Sequence, residues 1–267
     1  MDKLAAKAAA NLEAVRSKQP LIHNITNFVV MNFTANALLA LGASPVMAHA
    51  ENEVEEMASL AGAVILNIGT LTDEWVEAML KAGRTATALN TPIILDPVGS
   101  GATALRTRSA RRIIDETGVS VIRGNASEII SLAHADSSTK GVDSLHSVDE
   151  AAESAKTLAR ELQTTLAITG PVDLVTDGKQ VITIANGHPL MPSITGTGCA
   201  ASAIIGAFAA VNDDMVSASG AALAYFGLAG ERAAQTAQGP GSFMVAMLDA
   251  LSTITPDDVL HGARFHG

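Results

Sequence analysis

Short apolar runs rich in β-branched residues alternate with stretches of helical periodicity through most of the first 170 residues. That alternation predicts βαβ units around a mainly parallel sheet. The clearest strand runs are Ala63–Ile68, Thr91–Val98, Val119–Arg123 and Thr165–Thr169, with weaker ones at Leu21–Ile25 and Ser44–Ala48. Helical spacing predicts helices over Val29–Leu41, Val54–Ala61, Thr72–Leu89, Thr107–Glu116, Glu128–His134 and Val148–Leu162. Ahead of them, Leu4, Ala8, Leu12 and Val15 share one stripe of an N-terminal amphipathic helix. Lys7 and Glu13 interrupt what a signal peptide would need as an apolar run, so this helix is expected to be retained.

Beyond Gly170 the pattern changes. Asp173–Thr176 and Gln180–Ala185 flank Asp177-Gly178, a dipeptide suited to a tight hairpin, which predicts an antiparallel edge. From Thr197 onward only helices are expected: Thr197–Val211, Val216–Thr236, Ser242–Leu251 and a short one after Pro256. No repeat, low-complexity tract or linker divides the chain, so residues 1–267 read as a single domain. The Ser-, Gly- and Asp-rich stretch Ser137–Ser144 is the expected variable loop.

Composition narrows the function. Of 267 residues, 27 are acidic and 17 basic, a net charge of −10, and only eight are aromatic, namely six Phe, one Tyr and one Trp. The core must be aliphatic. A general nucleic-acid surface or an anionic-membrane surface would need clustered Lys and Arg, so neither partner is expected and any phosphate must be bound locally. The single cysteine, Cys199, cannot form an intramolecular disulfide, and the seven histidines show no zinc spacing, which fits a reducing cytoplasm. The apolar part of the longest uncharged stretch, Ala200–Val211, is too short to span a bilayer.

Three constellations carry candidate chemistry. In Ile194-Thr195-Gly196-Thr197-Gly198-Cys199-Ala200-Ala201 two glycines open an apolar helix, where free N–H groups and the positive dipole end favour an anion. The plainer alternative is a pair of turn glycines with Thr197 as the cap. The segment also matches G-x-G-x-x-A, but it lies in the last third of the chain, follows no strand and leads into all-helical sequence, so a dinucleotide-binding turn fails on context. No P-loop is present, since Gly178-Lys179 lacks both the leading glycine and the following Ser or Thr.

The second constellation sits at strand ends. Asp96-Pro97-Val98-Gly99-Ser100-Gly101 places an acid where a strand runs out, and Arg123-Gly124-Asn125-Ala126-Ser127-Glu128 adds a cation and Asn-x-x-Glu. Two carboxylates and an amide there make a reasonable outer shell for hydrated Mg²⁺; alternatively Asp96 starts a turn and Glu128 completes a helix cap. The third comprises the polar strand end His23-Asn24-Ile25-Thr26-Asn27, Met47 and Thr169-Gly170-Pro171. These suit a small-molecule pocket, or else core filling for Met47 and a satisfied buried histidine for His23. His261 and His266 read as solvated tail residues.

Asn125-Ala126-Ser127-Glu128 together with the late Gly-Thr-Gly turn resembles the ribokinase-like superfamily of small-molecule kinases. His23-Asn24-Ile25-Thr26-Asn27, Asp96-Pro97-Val98-Gly99-Ser100-Gly101-Ala102 and Thr195-Gly196-Thr197-Gly198-Cys199 resemble more closely the hydroxyethylthiazole kinase family of thiamine salvage, from about Gln19 to Leu251. That likeness implies a three-layer α/β fold and ATP-dependent phosphorylation of the primary hydroxyl of 4-methyl-5-(2-hydroxyethyl)thiazole. It assigns Arg123 and Thr169 to ATP, Met47, Gly196 and Asn27 to the thiazole, and Asp96 and Glu128 to the Mg²⁺ region. Cys199 falls where most of the superfamily carries Asp, so it is expected, with Gly196 and Gly198, in the catalytic turn, positioning the hydroxyl and assisting weakly; a helix N-terminus tends to lower a thiol's pKa. The resemblance further implies a homotrimer with sites between subunits. The alternatives are another ribokinase-like alcohol kinase or nucleotide-dependent hydrate dehydratase, and a non-catalytic nucleotide-binding regulator.

Overall fold

Every residue of Ala63–Asn67 is buried, as befits a strand covered on both faces. Its side chains alternate between two cores: Ala63 and Ile65 face one, Val64 and Leu66 the other. The computed structural model describes residues 2–133 and 148–266, so the expected loop Ser137–Ser144 lies outside the described residues.

Among the described residues nine strands form one sheet, taken in chain order as β1 (Leu21–Ile25), β2 (Ser44–Val46), β3 (Ala63–Asn67), β4 (Ile93–Asp96), β5 (Val121–Asn125), β6 (Thr165–Thr169), β7 (Asp173–Thr176), β8 (Val181–Ile184) and β9 (Phe265–His266). The order across the sheet is β2-β1-β3-β4-β5-β6-β7-β8-β9. Pairings from β2 to β6 are parallel and those from β6 to β9 antiparallel. The mainly parallel sheet and the hairpin over Asp177-Gly178 are as expected. The antiparallel edge is wider than a hairpin, because β9 pairs with β8 beyond it. The expectation of no strand after Thr197 is thereby corrected, and His266, though exposed, belongs to that edge strand.

The helices are α1 (Asp2–Lys18), α2 (Met31–Leu41), α3 (Val54–Leu60), α4 (Asp73–Leu89), α5 (Ala104–Glu116), α6 (Ala126–Ile130), α7 (Val148–Leu162), α8 (Thr197–Ala209), α9 (Met215–Thr236), α10 (Pro240–Thr253) and α11 (Pro256–Gly262). Helices α1, α2 and α8 to α11 contribute to the first core, and α3 to α7 to the second, giving three layers. Ala8, Leu12 and Val15 are fully buried, which accounts for the N-terminal stripe. Thr72 and Thr103 cap α4 and α5 by accepting the N–H groups of Trp75 and Arg106. The second cap sets the start of α5 three residues before the expected Thr107. Helix α6 is shorter than expected and opens with a capping box between Asn125 and Glu128. Among the described residues, no helix is long and apolar enough to cross a membrane.

Candidate active site

In a parallel sheet the C-terminal strand ends all lie along one edge, which is where ligands collect in open α/β folds. Here that edge carries Asn27 just past β1, Asn67 ending β3, Asp96 ending β4, Arg123 within β5 and Thr169 ending β6. Strand register aligns them, since Asn67 pairs with Asp96 and Asn125 with Thr169.

Their side chains form a continuous polar chain. The Asn27 Nδ2 group donates to Asn67 Oδ1 at 2.9 Å and to Cys199 Sγ at 3.5 Å. Asn67 Nδ2 donates to Asp96 Oδ2 at 2.8 Å, and the Ser202 hydroxyl donates to the same oxygen at 2.8 Å. Arg123 Nη1 lies 3.7 Å from that oxygen, while its Nη2 donates to Thr169 Oγ1 at 2.7 Å. Five expected site residues, Asn27, Asp96, Arg123, Thr169 and Cys199, are thus brought together.

Helix α8 delivers Cys199 and Ser202 to this row. Its cap is Gly196, with φ of +91°, a backbone conformation that penalises any side chain. The alternative with Thr197 as cap is therefore not adopted; its hydroxyl donates instead to Met191 O. Gly198 has a different requirement: a Cβ there would lie 2.5 Å from Arg123 Nη1 and 2.9 Å from Nη2. The guanidinium lies directly against the helix start.

Burial dominates the electrostatics. Asp96 is fully buried, which raises its pKa, as does Glu128, against the lowering pull of Arg123, Ser202 and Asn67. Burial, with help from Asp96, pushes the Cys199 thiol up to about 12, against the weaker pull of Asn67, Asn27 and Arg123. The helix-terminal lowering expected for this thiol is overridden by desolvation. His23 is buried in β1 with Nε2 on Ala48 O at 2.8 Å and a pKa lowered by burial; among the described residues Nδ1 has no partner and the ring is not linked to the polar chain.

The donor set suits a hard cation held with few protein ligands. Among the described residues, Asp96 Oδ1 is buried without a hydrogen-bond partner, whereas Oδ2 accepts twice. Glu128 Oε1 accepts Gly99 N and Oε2 accepts Asn125 N, each at 2.9 Å, so the capping reading of Glu128 holds structurally and each oxygen keeps one lone pair. No group of three or more His, Cys, Asp or Glu able to hold a metal occurs among the described residues, so water and phosphate would complete any magnesium shell.

A cavity of about 690 Å³ opens beside this row, and Arg123, Thr169, Thr197 and Gly198 are among the residues that line it. Its other walls come from Asn186–Pro189, Met191 and Pro192, and from Leu223, Phe226 and Gly227 of α9. Half-buried Asp173 also lines it; burial lifts its carboxyl to about 6, against the pull of the Gly170 N–H and Arg123. Met47, half-buried just past β2, is not among the lining residues.

Sequence reasoning missed Asn67, Ser202, Asp173 and the Asn186–Pro192 wall. Asn67 had left a signal, a polar residue closing an otherwise apolar run. It also missed Arg106, which reaches from α5 to donate to Ile68 O, Val98 O and Gly69 O, fastening the loops after β3 and β4.

Residues 12–257 match the model of the hydroxyethylthiazole kinase family. The chain is 62% identical over 264 residues to a hydroxyethylthiazole kinase of Desulfotalea psychrophila, covering 99% of this chain and 97% of that protein. It superposes on the structure of a hydroxyethylthiazole kinase protein from Pyrococcus horikoshii OT3 with a TM-score of 0.89 at 47% identity, covering 97% and 98% of the two chains. A ribokinase-like superfamily protein from Enterococcus faecalis shares the fold alone, with a TM-score of 0.67 at 11% identity over 96% and 95% of the two chains.

Proposed function

The chain belongs to the hydroxyethylthiazole kinase family, and from that premise we propose how its residues perform the reaction. It phosphorylates the hydroxyl of hydroxyethylthiazole with ATP as co-substrate, as a single ribokinase-like kinase domain of thiamine salvage. The observation that carries this reading is the polar chain from Cys199 through Asn27, Asn67 and Asp96 to Arg123 and Thr169, which line the cavity.

Phosphoryl transfer asks for alignment and charge neutralisation more than for covalent chemistry. Arg123 and Thr169 hold the ATP phosphates, with the backbone N–H groups of the Gly196–Gly198 turn behind them. The thiazole is taken by Met47, Gly196 and Asn27. Cys199 keeps its proton at neutral pH, so it positions the substrate hydroxyl rather than abstracting a proton as thiolate. Asp96 and Glu128, with phosphate oxygens and water, would hold Mg²⁺, which offsets negative charge on the transferring group when bound.

A homotrimer with sites between subunits is supported by Phe28 and Val29, each 64% exposed immediately after Asn27. A cytoplasmic enzyme is supported by the single free cysteine. The test is a coupled assay of ADP release, with the thiazole alcohol set against a panel of other primary alcohols. Preference for the thiazole alcohol is expected. Equal or better turnover of another alcohol, or none with any, removes the reading.

A further inference from the structure

One wall of the cavity has no strand or α-helix of its own. Residues 186–192 run from the end of β8 to a short 3-10 turn at Met191–Ser193, yet Asn186, Gly187, His188, Pro189 and Met191 all face the cavity. A connecting segment that lines a site must be fixed by something else, because its backbone groups lack a ladder.

What fixes it is a carboxylate and the C-terminal segment. Glu231 on α9 accepts the Gly187 N–H at 2.8 Å and the Asn186 side-chain amide at 3.1 Å through Oε1. The Asn186 amide also donates to Gly262 O at 3.0 Å, and its Oδ1 accepts the Arg264 N–H at 2.7 Å. Arg264 closes the circuit with a forked pair, Nη1 to Glu231 Oε2 at 2.9 Å and Nη2 to Oε1, and Nη2 donates as well to Ala185 O at 2.7 Å. Both polar atoms of the buried Asn186 side chain are thus used, and both oxygens of Glu231. Although burial works the other way, these donors hold the Glu231 carboxyl below its usual value.

The fit against α9 is close. A Cβ on Gly227 would stand 2.6 Å from the Asn186 carbonyl carbon and oxygen, so the segment is pressed onto the helix and cannot settle deeper. Pro189 and Met191 of the segment so held, with Phe226 of α9, give the cavity apolar surface, and Arg123 and Gly198 line the same cavity. That chemistry suits the flat face of a heteroaromatic base. The Arg264 side chain itself is 48% exposed, and an ion pair at such a site adds little to global stability. Its geometric consequence is local, where the cavity wall is.

We propose that Glu231 and Arg264 are positioning residues for nucleotide binding: the C-terminal segment clamps the Asn186–Met191 wall in the conformation that receives the base of ATP. The inference rests on reading this cavity as the nucleotide site. Neither residue touches the reacting atoms, so binding of ATP should suffer and the chemical step should not.

The test compares Glu231→Gln, Arg264→Ala, the double variant and Arg264→Lys with the wild type. It reads KM for ATP, KM for the thiazole alcohol, kcat, melting temperature, and calorimetric affinity for a non-hydrolysable ATP analogue. Loss of a partly exposed pair corresponds to up to about fivefold in affinity. The single variants should raise KM for ATP by about two- to fivefold and weaken the analogue equally, leaving kcat and the thiazole KM unchanged. The double variant should be no worse than the worse single one, and Arg264→Lys should recover part of the loss. Lower melting temperatures with wild-type ATP affinity, or parallel loss in every parameter, would overturn the proposal. A wild type that binds the analogue but phosphorylates nothing refutes the kinase reading instead, and leaves the clamp measurable by calorimetry.

Discussion

Replacing Gly198 by Ala separates catalytic geometry from folding. The added Cβ would stand 2.5 Å from Arg123 Nη1, so that nitrogen must retreat by about 0.9 Å to reach an ordinary contact of 3.4 Å. For stability this is cheap, because the obstructing atom is the far end of a flexible side chain. Gly→Ala in a helix even gains about 0.5–1 kcal/mol, so the melting temperature should hold or rise slightly.

For catalysis it is expensive. Arg123 is 13% exposed and fixed between Asp96 and Thr169; Nη2, 2.9 Å from the same Cβ, retreats by about 0.5 Å, which stretches its 2.7 Å bond to Thr169 by up to that much, and Nη1 is displaced by about 0.9 Å beside Asp96. A misplacement of that size typically costs about 10²-fold, so kcat/KM in the ADP-release assay should fall by roughly that factor. In an Arg123→Ala background the same substitution should cost nothing further. Wild-type kcat/KM in Gly198→Ala, or an equal loss without Arg123, refutes the reasoning. Gly196→Ala should differ in stability: with φ at +91° it strains the backbone by about 1–2 kcal/mol and lowers the melting temperature.

With Cys199 pushed up to about 12, the pH–rate profile should show no limb near about 8.5, the ordinary thiol value, and Cys199→Ser should keep kcat within about tenfold; a limb there that vanishes in the serine variant would restore a thiolate base. Asp173, lifted to about 6, becomes an anion in the cavity proposed for the nucleotide as pH rises, so KM for ATP should increase through that value, and Asp173→Asn, titrated alongside, should retain only the nucleotide's own dependence. The folded chain keeps that proton between about pH 4 and 6 while the unfolded chain has lost it, so this group's contribution to stability falls as pH rises across the window. Glu128→Gln should raise the Mg²⁺ concentration needed for half-maximal rate and lower kcat; an unchanged requirement would remove Glu128 from the metal shell.

The parallel half of the fold was legible because runs such as Ala63–Leu66 are buried on both faces and therefore continuously apolar. Strand β9 was not, since Phe265 and His266 owe their conformation to pairing with Ile184 and Thr183, far away in sequence. The same division runs through the site. Asp96, Arg123 and the glycine turn carry local signatures, whereas Ser202 in an apolar helix looks like any small filler until the fold sets it 2.8 Å from Asp96. Asp173 reads as a strand start, and only its burial in the fold lifts its carboxyl to about 6. For Cys199 the local rule gave the wrong sign, because helix-terminal stabilisation is short-ranged and smaller than the burial and the Asp96 field supplied by a distant strand.

The site brings two positive elements together before any phosphate arrives. The start of α8 presents its free N–H groups, and Gly198 lets the Arg123 guanidinium lie against that end. A cation there works against the helix dipole by about 0.3–1 kcal/mol. Asp96 offsets this only in part: it stands 3.7 Å from Nη1, already accepts from Asn67 and Ser202, and buried Arg123 Nε has no partner among the described residues. A phosphate entering the cavity reverses the sign of each term, meeting the N–H groups and the guanidinium at once. Arrangements that are mildly unfavourable alone and favourable with an anion raise affinity without tightening the resting fold, and that explains how a chain with ten surplus negative charges binds a triphosphate.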